Sequence, residues 1–265
     1  APPNRLYSGD RLEMIIELQN KGAYPKDTDN FNGKIEISGV DPSAVRGLWD
    51  GGNHIPATLR GRSANNPDGN TDIMTFKDTG GVNVPFGGAK YDANFLVTAC
   101  YQYKTIAEPM VCVDPEPYKI VQEAKVCRHD EGISTGGTQG APVAVTRVTQ
   151  RATSDAVIFD IYISNVGGGR VIDWASYDNC PFDLQYGDIN KVRVYAKLPY
   201  DGNPECTPRG SGNEPVILRE GGTGQIVCKF RKPPGESAFR TPLHIELEYT
   251  YSSSITKRVE ILNVG

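Results

Sequence analysis

Cysteine is the residue type in this chain best placed to do chemistry, and six are present: Cys100, Cys112, Cys127, Cys180, Cys206 and Cys228. No two of them form a C-x-x-C pair, and His54, His129 and His244 lie far apart. Zinc sites are built from closely spaced ligand pairs, so this spacing speaks against a metal centre. An even count in a turn-rich chain reads instead as three disulfides and therefore an oxidising compartment. Buried free thiols in a cytosolic chain are the competing reading. There is no Asn-x-Ser/Thr sequon, so N-linked glycosylation is not expected.

Other segments invite a chemical reading and fail on spacing. Asp27-Thr28-Asp29-Asn30-Phe31-Asn32-Gly33 resembles a calcium loop, but its fifth position is Phe31, where an oxygen ligand is required, and its twelfth is Ser38, where a glutamate is required. Asn65–Asn70 has the composition of a turn. Gly235-Glu236-Ser237-Ala238-Phe239 lacks the second glycine of a nucleophile elbow. Gly167-Gly168-Gly169 follows a strand pattern but opens no helix, so it is a turn and not a phosphate cradle. His129-Asp130-Glu131 begins a Gly/Ser/Thr-rich stretch and reads as a loop. Trp49 and Trp174 fall in loop-like segments and are the better candidates for contact with a partner or a sugar. No catalytic residue, metal site or cofactor is expected.

Composition narrows the class. Glycine and proline supply 29 and 19 of the 265 residues, an excess that points to many short elements joined by turns. The 28 basic and 32 acidic residues are well mixed, so no nucleic-acid partner is expected. No apolar run approaches the length of about 18 residues needed for a spanning helix. The opening Ala1-Pro2-Pro3 has neither the basic nor the apolar region of a signal peptide; a removed signal and an excised fragment both fit.

The elements that must position these residues are strands. Leu12, Met14, Ile16 and Leu18 alternate with more polar positions, and so do Val157, Phe159, Ile161 and Ile163. Both runs end in Asn-x-Gly, at Asn20-Lys21-Gly22 and Asn165-Val166-Gly167. Further downstream, Phe95–Tyr103 matches Leu243–Tyr251, each closing on Tyr-x-Tyr. Between these ends Lys34–Ile37 resembles Lys191–Val194, and Asp72-Ile73-Met74 resembles Gln225-Ile226-Val227. Matches in one order at nearly constant offset read as a tandem repeat. The expected fold is all-β, two tandem antiparallel β-sandwiches, with domains 1–116 and 117–265. The tyrosines share parity with the apolar positions before them and should end the buried faces.

An alternating strand running into Asn-x-Gly, with a last hairpin of apolar-x-apolar-x-Tyr-x-Tyr form, resembles the CARDB-type Ig-like domains of archaeal and bacterial surface proteins, including S-layer-associated ones. The residues that carry the resemblance are Leu12–Gly22, Val157–Gly167 and the terminal hairpins Phe95–Val113 and Leu243–Ile261. It implies an extracellular spacer, adhesive or lattice-forming module with no catalytic residues.

Three expectations follow. A hairpin turning near Ile106 places Cys100 opposite Cys112, both outward, with Glu248 and Glu260 at the matching sites of the second repeat. The other cysteines then pair as Cys127–Cys180 and Cys206–Cys228. The strand candidates Pro142–Val148 and Tyr118–Val126, which precede Val157, have no counterpart before Leu12. There Ala1–Tyr7 reads as an arm, so the first domain lacks its opening strand and shows an uncovered apolar strip and an open edge. A strand from a neighbouring copy or from upstream sequence would complete it, making the protein a self-associating extracellular surface protein whose partners are copies of itself. The alternative is a carbohydrate-binding or carbohydrate-active surface protein with cell-surface glycans as partners.

Overall fold

A computed structural model describes residues 4–26, 29–48, 53–119, 125–128, 132–208, 214–235 and 237–263. The fold is all-β. The chain divides into two compact units, residues 1–101 with 180–182 and 252–265, and residues 102–179 with 183–251. The first holds β1 (Arg5–Tyr7), β2 (Glu13–Gln19), β3 (Gly33–Ser38), β4 (Thr71–Lys77) and the start of β5 (Lys90–Ala107). The second holds β6 (Met110–Val113), β7 (Val143–Ala152), β8 (Ala156–Asn165), β9 (Arg170–Ile172) and β10 (Lys191–Lys197). It also holds β11 (Glu205–Thr207), β12 (Val216–Ile217), β13 (Thr223–Arg231) and β14 (Phe239–Pro242). The last strand, β15 (His244–Leu262), starts in the second unit and ends in the first.

In the first unit β2 and β4 form an antiparallel pair, with Met14 opposite Phe76 and Ile16 opposite Met74. Period two puts Met14, Ile16, Met74 and Phe76 on one buried face and leaves Ile15 and Ile73 outside. That face packs on a second sheet ordered β3-β5-β15-β1, whose Ile35, Phe95, Val97, Val259 and Ile261 complete the core. Thr98 with Ser254 (2.8 Å) and Asp92 with Arg258 (2.9 Å) show β5 and β15 running in opposite directions. β1 lies parallel to the end of β15, Leu6 opposite Ile261.

This corrects the expected arm and the expected uncovered strip. Arg5–Tyr7 is a paired strand, and the apolar strip is covered by the chain's own C-terminal residues, Val259 and Ile261 being at most 1% exposed. It also corrects both terminal hairpins. Ser252-Ser253-Ser254-Ile255-Thr256 contains no Gly, Pro, Asn or Asp to turn the chain, so β15 continues unbroken for 19 residues. After β5, Glu108-Pro109 sends the chain elsewhere, and β6 pairs with β14, Val111 opposite Thr241. The compact units therefore divide differently from 1–116 and 117–265: residues 252–265 lie in the first and 102–116 in the second.

The second unit packs a sheet ordered β12-β10-β15-β5 on one ordered β11-β13-β8-β7, with β6–β14 as a separate pair. Phe159 and Phe230 meet edge to face at 5.6 Å in its core, and Tyr103, Tyr249 and Tyr251 are buried as their parity requires. The two Asn-x-Gly ends are built alike. Asn20 accepts from Gly22 N (3.0 Å) and donates to Tyr24 O (2.9 Å); Asn165 accepts from Gly167 N (3.2 Å) and donates to Gly169 O (2.9 Å). The backbone N–H of each donates to the residue just before the partner strand, Asn70 O (3.0 Å) or Gly222 O (2.8 Å). Gln19 faces Thr71 as Ser164 faces Thr223, which aligns Met74 with Ile226. The sequence alignment of Ile73 with Ile226 is thus one residue out: Ile73 is 61% exposed and Ile226 fully buried.

Candidate functional site

The polar side chains of the second unit gather on the outer face of its β10-β15-β5 sheet. Alternation on β15 turns His244, Glu246 and Glu248 outward, and the register sets Tyr195 opposite Glu246 and Arg193 opposite Glu248. From β5, Lys104 Nζ reaches Glu248 Oε1 at 2.6 Å and Glu246 Oε1 at 2.9 Å. At the other end of the row His244 Nδ1 lies 3.0 Å from Glu108 Oε1. The short 3₁₀ turn Trp174–Ser176 lies against the same row, with Lys104 Nζ 5.6 Å from the Trp174 ring centroid. Gln102 donates to Trp174 O (3.1 Å), while Asp173 caps the turn through Ala175 N (3.0 Å) and accepts from Arg193 (3.3 Å).

The electrostatics make this row self-contained. Burial opposes the charge on Lys104, but the hydrogen bonds it donates to Glu248 and Glu246 outweigh it and hold the ammonium well above the ordinary lysine range. A lysine that acts as nucleophile or base must have its pKa lowered, so Lys104 is tuned away from that chemistry. Tyr195 is pushed up by burial first and then by the Glu248 carboxylate.

A cleft of about 500 Å³ opens in the same unit, lined by Ile106, Glu108, Met110, Thr135, Gln139 and Arg240 among others. A smaller hollow of about 40 Å³ beside it shares Met110 and Arg240.

All six cysteines are bonded, as the even count implies, but two of the three expected pairings are corrected. The disulfides are Cys100–Cys180, Cys112–Cys127 and Cys206–Cys228, and only the last is the pair expected. Cys100 does stand at outward parity on β5, beside Thr98 and Gln102. It is nevertheless fully buried, because the segment carrying Cys180 crosses that face. Cys112 cannot reach it because β6 leaves β5 for β14, and it closes a 15-residue loop to Cys127 instead. Glu248 and Glu260 lie on one strand rather than opposite each other; Glu248 holds Lys104, and Glu260 holds Arg5 (2.8 Å) and Lys90 (3.3 Å).

The remaining candidates scatter. Phe31, at the decisive position of the calcium-like loop, is a core residue 5.7 Å from the Tyr101 ring; Asp27 and Thr28 lie outside the described residues. So do Trp49, His129-Asp130-Glu131, Glu236 and residues 120–124 of the Tyr118–Val126 strand candidate. Pro142–Val148 is realised as the start of β7, and the Gly167–Gly169 turn is clamped on the Tyr251 hydroxyl, to which Gly169 N donates at 2.7 Å. Gly69 closes the Asn65–Asn70 turn with φ +74° where any Cβ would strike Asn20 O. Lys104, Glu246 and His244 were not singled out by sequence, because what joins them is cross-strand pairing; outward parity on a strand is the one signal that marks them.

Comparison with known protein families, curated proteins and solved structures finds no match to this chain. Among the described residues no helix is long and apolar enough to cross a membrane.

Proposed function

We propose that this chain is an extracellular structural or adhesive module, of the Ig-like surface-domain kind, which works by associating with further copies of itself and carries no catalytic centre. The observation that carries the reading is the state of its most functional-looking face. Lys104 is held between two glutamates and covers the Trp174 ring, so this candidate for sugar contact is spent on an internal contact. Disulfides in both units support an oxidising, extracellular setting. A second reading, glycan binding, is favoured by the cleft with Glu108, Thr135, Gln139 and Arg240 at its walls.

The test is the mass of the native particle by light scattering, with electron microscopy of the same sample. Filaments, sheets or defined oligomers are expected. A particle of 28.9 kDa at every concentration overturns self-association, and saturable binding on a glycan array would then favour the second reading.

A further inference from the structure

The two units hold equivalent strands in unequal surroundings. β2 and β8 share the asparagine bracket at their ends and the same register against β4 and β13. β8 is bonded on both edges, by β13 on one side and β7 on the other. The backbone hydrogen bonds of β2 go to β4 alone among the described residues. The strand that precedes β2 cannot fill the place, because β1 is committed to β15.

From this we propose that the free edge of β2 is an acceptor for an extended strand from a second copy, at the position β7 occupies beside β8. The inference rests on the self-association proposed above and names its contact. Two observations favour an edge kept for pairing. First, the molecule closes the comparable edge of the second unit with its own side chains. At the start of β7, Val143 N donates to Tyr249 Oη (3.2 Å) and Val143 O accepts from Thr105 (2.7 Å). Gln139 likewise accepts from Val145 N (3.0 Å) and donates to Val145 O (3.3 Å). Among the described residues nothing comparable covers β2, and sheet edges left in this state are where chains add strands.

Second, the charge on β2 specifies the chemistry of its guest. The outward residues of β2 are Glu13, Ile15 and Glu17, with Ile15 46% exposed. In the second unit β7 sets Arg147 opposite Tyr162, 3.9 Å over its ring, and Arg151 opposite Ile158, bonding Asp160 at 3.1 Å. Carried to the first unit through the β2–β8 correspondence, those two positions face Glu17 and Glu13. The expected guest is therefore an alternating strand, β-branched inward and basic outward. Head-to-tail use of such a contact is heterologous and propagates.

Amide hydrogen exchange on the intact protein tests this, read across a protein concentration series and with an added capped peptide of the β7 sequence Val143–Arg151. Alternate β2 amides are expected to slow at least tenfold as concentration rises, and with peptide. Glu17→Lys, a change at an exposed site, should abolish most of that protection while circular dichroism stays unchanged. Assembly by light scattering with β2 still exchanging freely overturns this contact and leaves self-association standing. A monomer at all concentrations whose β2 is protected by the peptide overturns the second copy as guest. Free exchange of β2 under every condition overturns the acceptor edge itself.

Discussion

Among the described residues, the first unit builds β2 into a two-stranded sheet, and the second builds its equivalent, β8, into a four-stranded one. Inside each strand the physics is the same: alternate apolar residues face a core, and an asparagine brackets the end. The difference lies in what the rest of the chain delivers beside them. β8 has a hairpin partner immediately before it, whereas the segment before β2 pairs with the C-terminal end of the chain. The first unit thus draws its last core strand from residues 252–262, and its stability depends on a segment remote in sequence. Local pattern makes a strand; its neighbours are decided by which other segments can bury their apolar faces against it.

Removing residues 252–265 is the severest way to break this comparison. It deletes Val259 and Ile261 from the first core, and the expected loss is the stability of that whole unit, on the order of 5 kcal/mol or more. Hydrogen exchange should show β2, β3 and β4 unprotected while β8 and β13 stay protected. Retained protection in β2 would mean that the first unit stands without its borrowed strand.

The disulfides give a graded contrast. Cys100–Cys180 spans 80 residues and Cys206–Cys228 spans 22, so loop entropy gives about 4–5 kcal/mol for the first and about 3 kcal/mol for the second. Paired Cys→Ala variants compared by urea unfolding should keep that order; equal losses would show that strand pairing already restrains the longer loop.

The register of β4 is read by a pair of single variants. Met74→Ala is expected to cost about 2–5 kcal/mol, whereas Ile73→Ala should stay within about 0.5 kcal/mol. Reversed magnitudes in denaturant midpoints would restore the one-residue slip that sequence matching prefers.

The smallest effect is acid sensitivity, to which surface carboxylates of both units contribute, Asp155 of the second being lowered by its hydrogen bonds with Thr153 and Lys229. The Arg5 and Lys90 hydrogen bonds lower the pKa of Glu260 from 4.5, and the Arg258 bond lowers that of Asp92 from 3.8. Folded values below unfolded ones give stability that is present above about pH 4.5 and lost as pH falls through the folded values. The groups are at the surface, so added salt should shrink the effect. A loss that added salt leaves unchanged would place the acid-sensitive groups away from the surface.

Period-two alternation determined the strands themselves, and the recurrence of Asn20 and Asn165 in one pattern marked two strand ends that are built alike. Side-chain period and a local asparagine bracket are properties of neighbouring residues, so they are written in neighbouring residues. The bonding of all six cysteines was legible from their even number. The partners of Cys100 and Cys112, the row joining Lys104 to Glu246, and the place of Val259 and Ile261 were decided only by tertiary structure. Each depends on where β5 and β15 travel after their matching Tyr-x-Tyr segments, and no residue within those segments states it. A turn there would have closed two hairpins; without one, burying Val259 and Ile261 under β2 and β4 sets the destination.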